Sequence, residues 1–431
     1  VVRRENGGFA PPAQGSPCAA IARRLQAVNQ MPEAQVPAAD PLPPRLSYAA
    51  LFWRFLKFGM LAFGGPVAQI AMIRRELVDE ERWVSSGHFN KLLAVMQVLP
   101  GPEAHELCVH LGIRARGRLG GLLAGLGFML PGLLLMLALA FAYTRFRIEG
   151  TLLGAMFLGV QAAVIALILR AVHRIGEHVL ADRWLWLAAI LAALASLAGA
   201  SFWIVLPAAG LACAFASGGR LPAAAAVIAL AGVLAALLLL APEAGLQARV
   251  SAAAPTPLVL FWSGLKGGLL TFGGAYTAIP FIRNDSVGRG WMTDAQFLDG
   301  LGLSGILPAP LVIFATFVGF VSGGLWGALA ITAGMFLPAF AFSLLFYERL
   351  ESVLEDDRLQ HFLQGVAAGV VGLIAVTLIG LGRSAVEASG NLFASFGIFV
   401  AALLILYRWK HRLAPLAVVA LGAAAGLPWL H

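Results

Sequence analysis

Four short runs of glycine and proline interrupt apolar stretches of this chain, and backbone groups freed at such breaks can hold an anion. They are Phe63-Gly64-Gly65-Pro66, Pro100-Gly101-Pro102-Glu103, Phe272-Gly273-Gly274-Ala275 and Pro308-Ala309-Pro310. Paired glycines cost a helix about 1 kcal/mol each, and proline has no N–H to donate, so these runs are poor helix interiors. Proline does suit the first turn of a new helix, as Pro66 would. Such a helix start presents unpaired N–H groups, the positive end that receives an oxyanion. The competing reading is that each glycine pair only lets two helices approach closely. Ala275 stands where Pro66 would be, so the third run has a weaker case for a break than the first.

Charged side chains within the apolar stretches are few, and each needs a reason. Lys57 and Lys266 lie one turn beyond Trp53 and Trp262; they either face a dianion or snorkel to the headgroups. Glu103 and Glu106 are the acids expected deepest. Glu103 falls in the first turn after a proline, where a carboxylate suits the helix dipole or links anion movement to protons. Arg74, Arg75 and Arg283 fall at segment ends and read as interfacial anchors. His105 and His110 bracket Glu106, but they are five residues apart and the zinc-protease motif needs four. No metal and no cofactor is expected.

The elements that must position these residues are set by composition. Hydrophobic residues make up 60% of the 431, charged ones 12%, and mean hydropathy is +0.84. A soluble domain carries about 25% charged residues. Too few charges remain here to cover a soluble particle, so lipid is the solvent. Cys18, Cys108 and Cys213 follow no metal-ligand spacing. The net charge of +8 is spread over short loops, where Lys and Arg set orientation rather than bind nucleic acid. Residues 1–47, rich in Pro, Ala and Gln, read as a disordered tail.

About 20 apolar residues cross a bilayer core as a helix. Thirteen candidate segments result: 50–73, 89–112, 119–143, 152–172, 184–200, 202–217, 222–241, 258–281, 296–320, 323–347, 362–382, 392–407 and 413–430. Length does not decide whether 50–73 and 89–112 cross or fold back halfway. If every segment crosses, the face shared with the N-terminus carries 19 Lys/Arg and the other face 8. The positive-inside rule then puts the N-terminus in the cytoplasm and the C-terminus outside, in the periplasm.

The chain is also duplicated. Residues 52–75 align without gaps with 261–284, and twelve of the 24 positions are identical. Leu99-Pro100-Gly101-Pro102 matches Leu307-Pro308-Ala309-Pro310, and Leu130-Pro131 matches Leu337-Pro338. The expected domains are a first repeat at 48–217, a linker with one helix at 218–257, and a second repeat at 258–431. Six segments per half with one between them predict opposite orientations. The expected fold class is thus an all-α polytopic membrane protein, with about 13 transmembrane segments in two inverted-topology repeats with broken helices. In that architecture the site lies at midplane, where the halves meet.

With Phe63-Gly64-Gly65-Pro66, Gln69-Ile70-Ala71, Leu99-Pro100-Gly101-Pro102-Glu103-Ala104 and Thr271-Phe272-Gly273-Gly274-Ala275-Tyr276, the sequence resembles the chromate transporter family in its long-chain, two-domain form. The resemblance covers roughly 48–430. It implies a secondary transporter of the bacterial inner membrane that exports chromate and confers resistance to it, with sulfate competing or exchanging. The family motifs fall on Phe63, Gly64, Gly65, Pro66, Pro100, Gly101, Pro102, Glu103, Phe272, Gly273, Gly274, Pro308 and Pro310; Lys57 and Lys266 join them on charge. Ala309 departs from the usual Pro-Gly-Pro. The expected partners are a small oxyanion and the lipid bilayer, with a homodimer left open.

Three classes compete. A transporter of chromate, or of another small oxyanion such as sulfate, explains duplication, inversion and paired breaks together. A membrane-embedded metalloenzyme would use His105, Glu106 and His110. A channel or scaffold would show no saturable, counter-ion-dependent flux.

Overall fold

In the computed structural model the described residues are 41, 43–146, 150–240, 254–345, 347, 356–409, 411 and 413–429. Most of the expected tail, 1–40 and 42, lies outside them. The described residues form fifteen α-helices and no strand. They are α1 Tyr48–Leu61, α2 Gly65–Arg74, α3 Ser86–Val98, α4 Glu103–Arg145, α5 Leu152–Val179, α6 Arg183–Leu197, α7 Phe202–Ser217 and α8 Leu221–Leu240. The second half supplies α9 Pro257–Leu269, α10 Ile279–Ser286, α11 Asp294–Ile306, α12 Phe314–Leu345, α13 Asp357–Ser389, α14 Leu392–Arg408 and α15 Ala414–Trp429. The protein is an all-α polytopic membrane protein. Among the described residues five helices are long and apolar enough to cross a bilayer, and four further apolar helices are shorter. The outer surface is itself apolar: Leu230, Leu237 and Trp326 are all exposed, as lipid-facing side chains must be.

Every expected segment is helical, and the first two in each half fold back. α1 is 14 residues long, about 21 Å, and stops at the first glycine pair. The chain then reverses. Arg54 of α1 pairs with Glu76 and Glu81, and Phe55 meets Trp83 with ring centroids 6.3 Å apart. α2 has therefore returned to the end of the bundle from which α1 set out. α3 enters from that same end, started by Ser85, whose hydroxyl accepts from the His88 N–H. It stops at Leu99, and the first limb of α4 leads back out. That limb ends at Arg116 and Gly117 (φ 67°), where the chain doubles back into the long limb beginning at Arg118. Gly112 and Gly121 let the two limbs lie close: a Cβ on Gly112 would meet Ala124, and one on Gly121 would meet Ile113.

The second half repeats this plan. α9 and α10 form one hairpin, α11 and the first limb of α12 another, and α12 reverses at Gly323 (φ −140°) and Gly324 (φ 63°). These dihedrals nearly duplicate those of Arg116 (φ −148°) and Gly117. In each half the first helix runs parallel to the long limb at glycine contacts, Gly59 and Gly127 in one, Gly264 and Gly334 in the other. The two long limbs are antiparallel to each other: Gly125, near the start of one, faces Phe340, near the end of the other, whereas Phe141, near the end of the first, lies with its ring centroid 6.4 Å from that of Phe320, just before the reversal at which the second begins.

The C-terminal helices are exchanged. α6 and α7 pack on α13 of the other half, and α14 and α15 pack on α5. Gly422 and Gly426 fit against Gly159 and Ala155, while Gly210 receives Phe362. Neither half keeps its own last hairpin.

One expectation changes as a result. Alternate loops were assigned to alternate faces, but a hairpin that folds back returns its connecting loop to the starting face. The loop after α2 joins the end that carries Tyr48, and the loop after α10 joins the opposite end.

Candidate functional site

The four interrupted runs become the tips of four hairpins, two from each end, and the tips meet. Gly64 and Gly65 have φ of 92° and 79°, Gly101 148°, Gly273 68° and Gly274 136°. L-residues with a Cβ rarely adopt such values. Ala275 in place of Pro66 does not keep the third run helical, because Gly273 and Gly274 break it by themselves. Across the seam, the Gly101 N–H donates to the Thr271 carbonyl at 2.8 Å. Gln69 Nε2 donates to the Ala62 carbonyl at 2.9 Å and to the Ala309 carbonyl of the other half at 3.0 Å. Ala309 is buried, and its methyl occupies the space beside Gly132.

Two cavities open beside the tips, of about 330 and 440 Å³. The smaller is lined by Gly273, Gly274, Glu103, Arg174 and His178, the larger by Gly64, Gly65, Arg170, Arg174 and His411. Pro66, Val67, Arg174 and Tyr276 belong to both and form the wall between them. The amides of Gly64, Gly65, Gly273 and Gly274 have no hydrogen-bond partner among the described residues. The Arg174 side chain is half-buried and makes no ion pair among the described residues. A guanidinium offers five donors in a planar fork that matches an oxyanion. Free amides and a half-buried guanidinium on the same wall can receive a small anion, with the acids Glu103 and Asp182 lining the smaller cavity beside them.

Sequence reasoning did not reach Arg174. It lies two residues beyond the apolar stretch 152–172 and read as a loop charge. In the structure α5 continues to Val179, and Arg170, Arg174 and His178 follow one another at helical spacing. That i, i+4 row was the available signal.

The expected site residues divide into three groups. Gly64, Gly65, Pro66, Glu103, Phe272, Gly273 and Gly274 line the cavities. Phe63, Pro100, Gly101, Pro102, Pro308 and Pro310 belong to the tips but line neither cavity, and the prolines of the second and fourth runs are buried. Lys57 is exposed and lines neither cavity. Lys266 is turned to Asp285, with its ammonium 5.2 Å from the Phe202 ring centroid. Asp285 is the counterpart of Glu76, so Lys266 closes its hairpin as Arg54 closes the first. Arg74 donates to Ser86 Oγ at 2.8 Å and Asn90 Oδ1 at 3.0 Å, and Arg283 donates twice to Asp294 at 2.7 Å. These two arginines fasten one hairpin to the next rather than face lipid headgroups. His105 sits edge-on to Phe336 and Phe340, while His110 lies against Tyr347, so the two rings do not converge.

Residues 49–217 and 258–427 both match the family model described as chromate transporter. The chain belongs to the chromate transporter family. It is 63% identical to a chromate transport protein of Pseudomonas aeruginosa over 393 residues, 91% of this chain and 94% of that one. It is 30% identical to a chromate transport protein of Cupriavidus metallidurans, covering 93% of this chain and 99% of that one. A probable chromate transport protein of Synechococcus elongatus is 28% identical over 89% of this chain and 96% of its own. No solved structure matches. As a member of this family the protein is a transporter and not an enzyme, its substrate class is an oxyanion, and it works in a lipid bilayer.

Proposed function

We propose that this protein exports chromate across the bacterial inner membrane as a secondary transporter and so confers chromate resistance, with sulfate competing for the same site. The observation that carries this reading is the Arg174 guanidinium, without an ion pair among the described residues, on the wall between two broken-helix glycine pairs. A tetrahedral dianion there would receive charge from the guanidinium and hydrogen bonds from free amides. Glu103 on the same wall limits how tightly it is held, as a carrier that must release its cargo requires.

The halves are read as inverted repeats, a reading supported by their antiparallel long limbs and the one helix, α8, between them. With the hairpins folded back, 14 Lys/Arg of the described residues fall on the face that carries Tyr48 and 4 on the other. The bias exceeds that of thirteen crossings and supports a cytoplasmic N-terminus and a periplasmic C-terminus. Both cavities are bordered by turns of the N-terminal face, Ala181 and Asp182 for one and Trp409 and His411 for the other. On this reading the site is open to the cytoplasm.

Each charge crossing the membrane is worth about 2.3 kcal/mol per 100 mV, so an exported dianion gains about 4.6 kcal/mol from an interior-negative potential. Proteoliposomes loaded with chromate test this. An imposed interior-negative potential should speed saturable efflux, and R174Q should abolish it without loss of folded protein. Wild-type protein that moves no chromate at any potential would end the reading.

A further inference from the structure

Glu106 lines neither cavity and is a buried acid without a hydrogen-bond partner among the described residues. It lies one turn after Glu103 on α4, is 1% exposed, and neither carboxyl oxygen has a hydrogen-bond donor among the described residues. Its Oε1 lies where a Cβ on Gly101 would be, and the methyl of Ala339 borders the same spot. Gly101 is the tip residue whose N–H crosses the seam to Thr271. The carboxyl is therefore wedged against the contact that joins the halves.

The groups around it supply no countercharge. On its own helix Glu103 opens into the smaller cavity, while His105 and His110 turn to aromatic rings. From α12 comes the Ala339 methyl, with Phe336 and Phe340 against the neighbouring His105; the α9 tip brings Thr271 to Gly101. Arg174 and His178 of α5 line the cavity that Glu103 opens into. An ionised carboxylate without donors or a partner in a dry interior is very costly. Ionisation requires water to reach it, and on its own helix the cavity lined by Glu103 opens one turn away.

We propose that Glu106 is a proton-binding residue whose protonation is linked to oxyanion occupancy of the cavity at Arg174; this rests on the reading of that cavity given above. The neutral carboxyl fits the closed tip. When the tip parts, the carboxyl gives its proton to cavity water and becomes a carboxylate, and the proton returns when the tip closes. No electron moves and no co-reactant is needed. A dianion at Arg174 repels a carboxylate one turn behind the Glu103 that lines the same cavity, so anion binding favours the protonated acid, and by reciprocity the proton favours the anion.

The test uses purified full-length protein in weakly buffered detergent solution containing a pH-sensitive dye, in the alkaline range where chromate itself stays a dianion. Wild type should take up protons as chromate binds, and its affinity should rise up to about tenfold for each unit fall in pH. E106Q should bind chromate with neither effect. Wild-type protein that binds chromate without proton uptake overturns the proposal, and so does E106Q with undiminished uptake. If E106Q is not recovered folded, E106D decides: proton uptake should persist with a displaced pH midpoint, and an unmoved midpoint overturns the assignment. Wild type that binds no chromate would instead remove the oxyanion reading on which the proposal stands.

Discussion

Gln69 Nε2 lies 3.0 Å from the carbonyl oxygen of Ala309, a residue 240 positions later in the other half of the chain. The same nitrogen donates to Ala62 in its own tip. A carbonyl cannot donate, so the two contacts fix which end of the amide is nitrogen. One side chain thus holds the first glycine tip to the fourth, at the level where the halves meet. Replacing it with leucine leaves two buried carbonyls short of a donor, at about 1–3 kcal/mol each. Q69L should therefore lower the unfolding temperature of the purified protein and its transport together. Wild-type stability in Q69L would show that the clasp is dispensable.

The two lysines should behave differently despite their matching places. Lys57 is exposed, so K57A should leave chromate efflux at the wild-type rate. Lys266 and Asp285 have side chains 14% and 4% exposed; removing one partner from such a buried pair costs up to about 3–5 kcal/mol, less here for Lys266 because Arg289 also lies 3.7 Å from Asp285. K266M should destabilise the protein, and the double change K266M/D285N should recover much of the loss. Thermal unfolding of the two single variants and the double variant measures the coupling. Additive losses would mean that the pair does not close the hairpin.

The glycines of the tips should not be equivalent. Gly65 has open space where a Cβ would go, so G65A meets only the strain of a positive φ, about 1–2 kcal/mol. Gly101 has positive φ as well, and a Cβ there would run into the Glu106 carboxyl and Ala339. Expression and unfolding temperature should fall further in G101A than in G65A. The reverse order would place the tight tip in the wrong run.

Folding back makes a prediction about sidedness. Glu80, at the end of the π-helical turn that follows α2, has an exposed side chain, and Asn284, in α10, is exposed near the opposite end. On the proposed orientation E80C is labelled only by a reagent that enters the cytoplasm, and N284C by an impermeant reagent outside. Thirteen full crossings would give the opposite pattern at both positions. Labelling of intact cells, with Cys108 and Cys213 buried and Cys18 replaced by serine, distinguishes the two.

Much of the fold is legible in the chain because lipid is an exacting solvent. Residues that face lipid must be apolar and their backbone helical, so α5, α8 and α13 announce themselves by length. The glycine and proline runs likewise mark breaks whatever surrounds them, since positive φ and a missing N–H are local facts. Part of the site could be read in the same way: the glycine pairs and Glu103 do line the cavities.

Arg174 and Gln69 were not read as site residues, because their importance lies in what stands opposite them. An arginine at the end of an apolar stretch looks the same whether it meets water, an acid or an empty cavity wall. Lys57 and Lys266 show the converse: equal residues in equal positions, one at the surface and one paired with a buried aspartate.

The sequence by itself determined that the chain is helical, lipid-embedded and duplicated, and where its helices break, because these depend on side-chain polarity and local backbone geometry. Only the tertiary structure decided that the broken segments turn back, that the halves exchange their last hairpins, and that Arg174 stands between the tips. A stretch of 24 apolar residues satisfies lipid equally as one crossing or as two short legs, and contacts with distant residues choose between them.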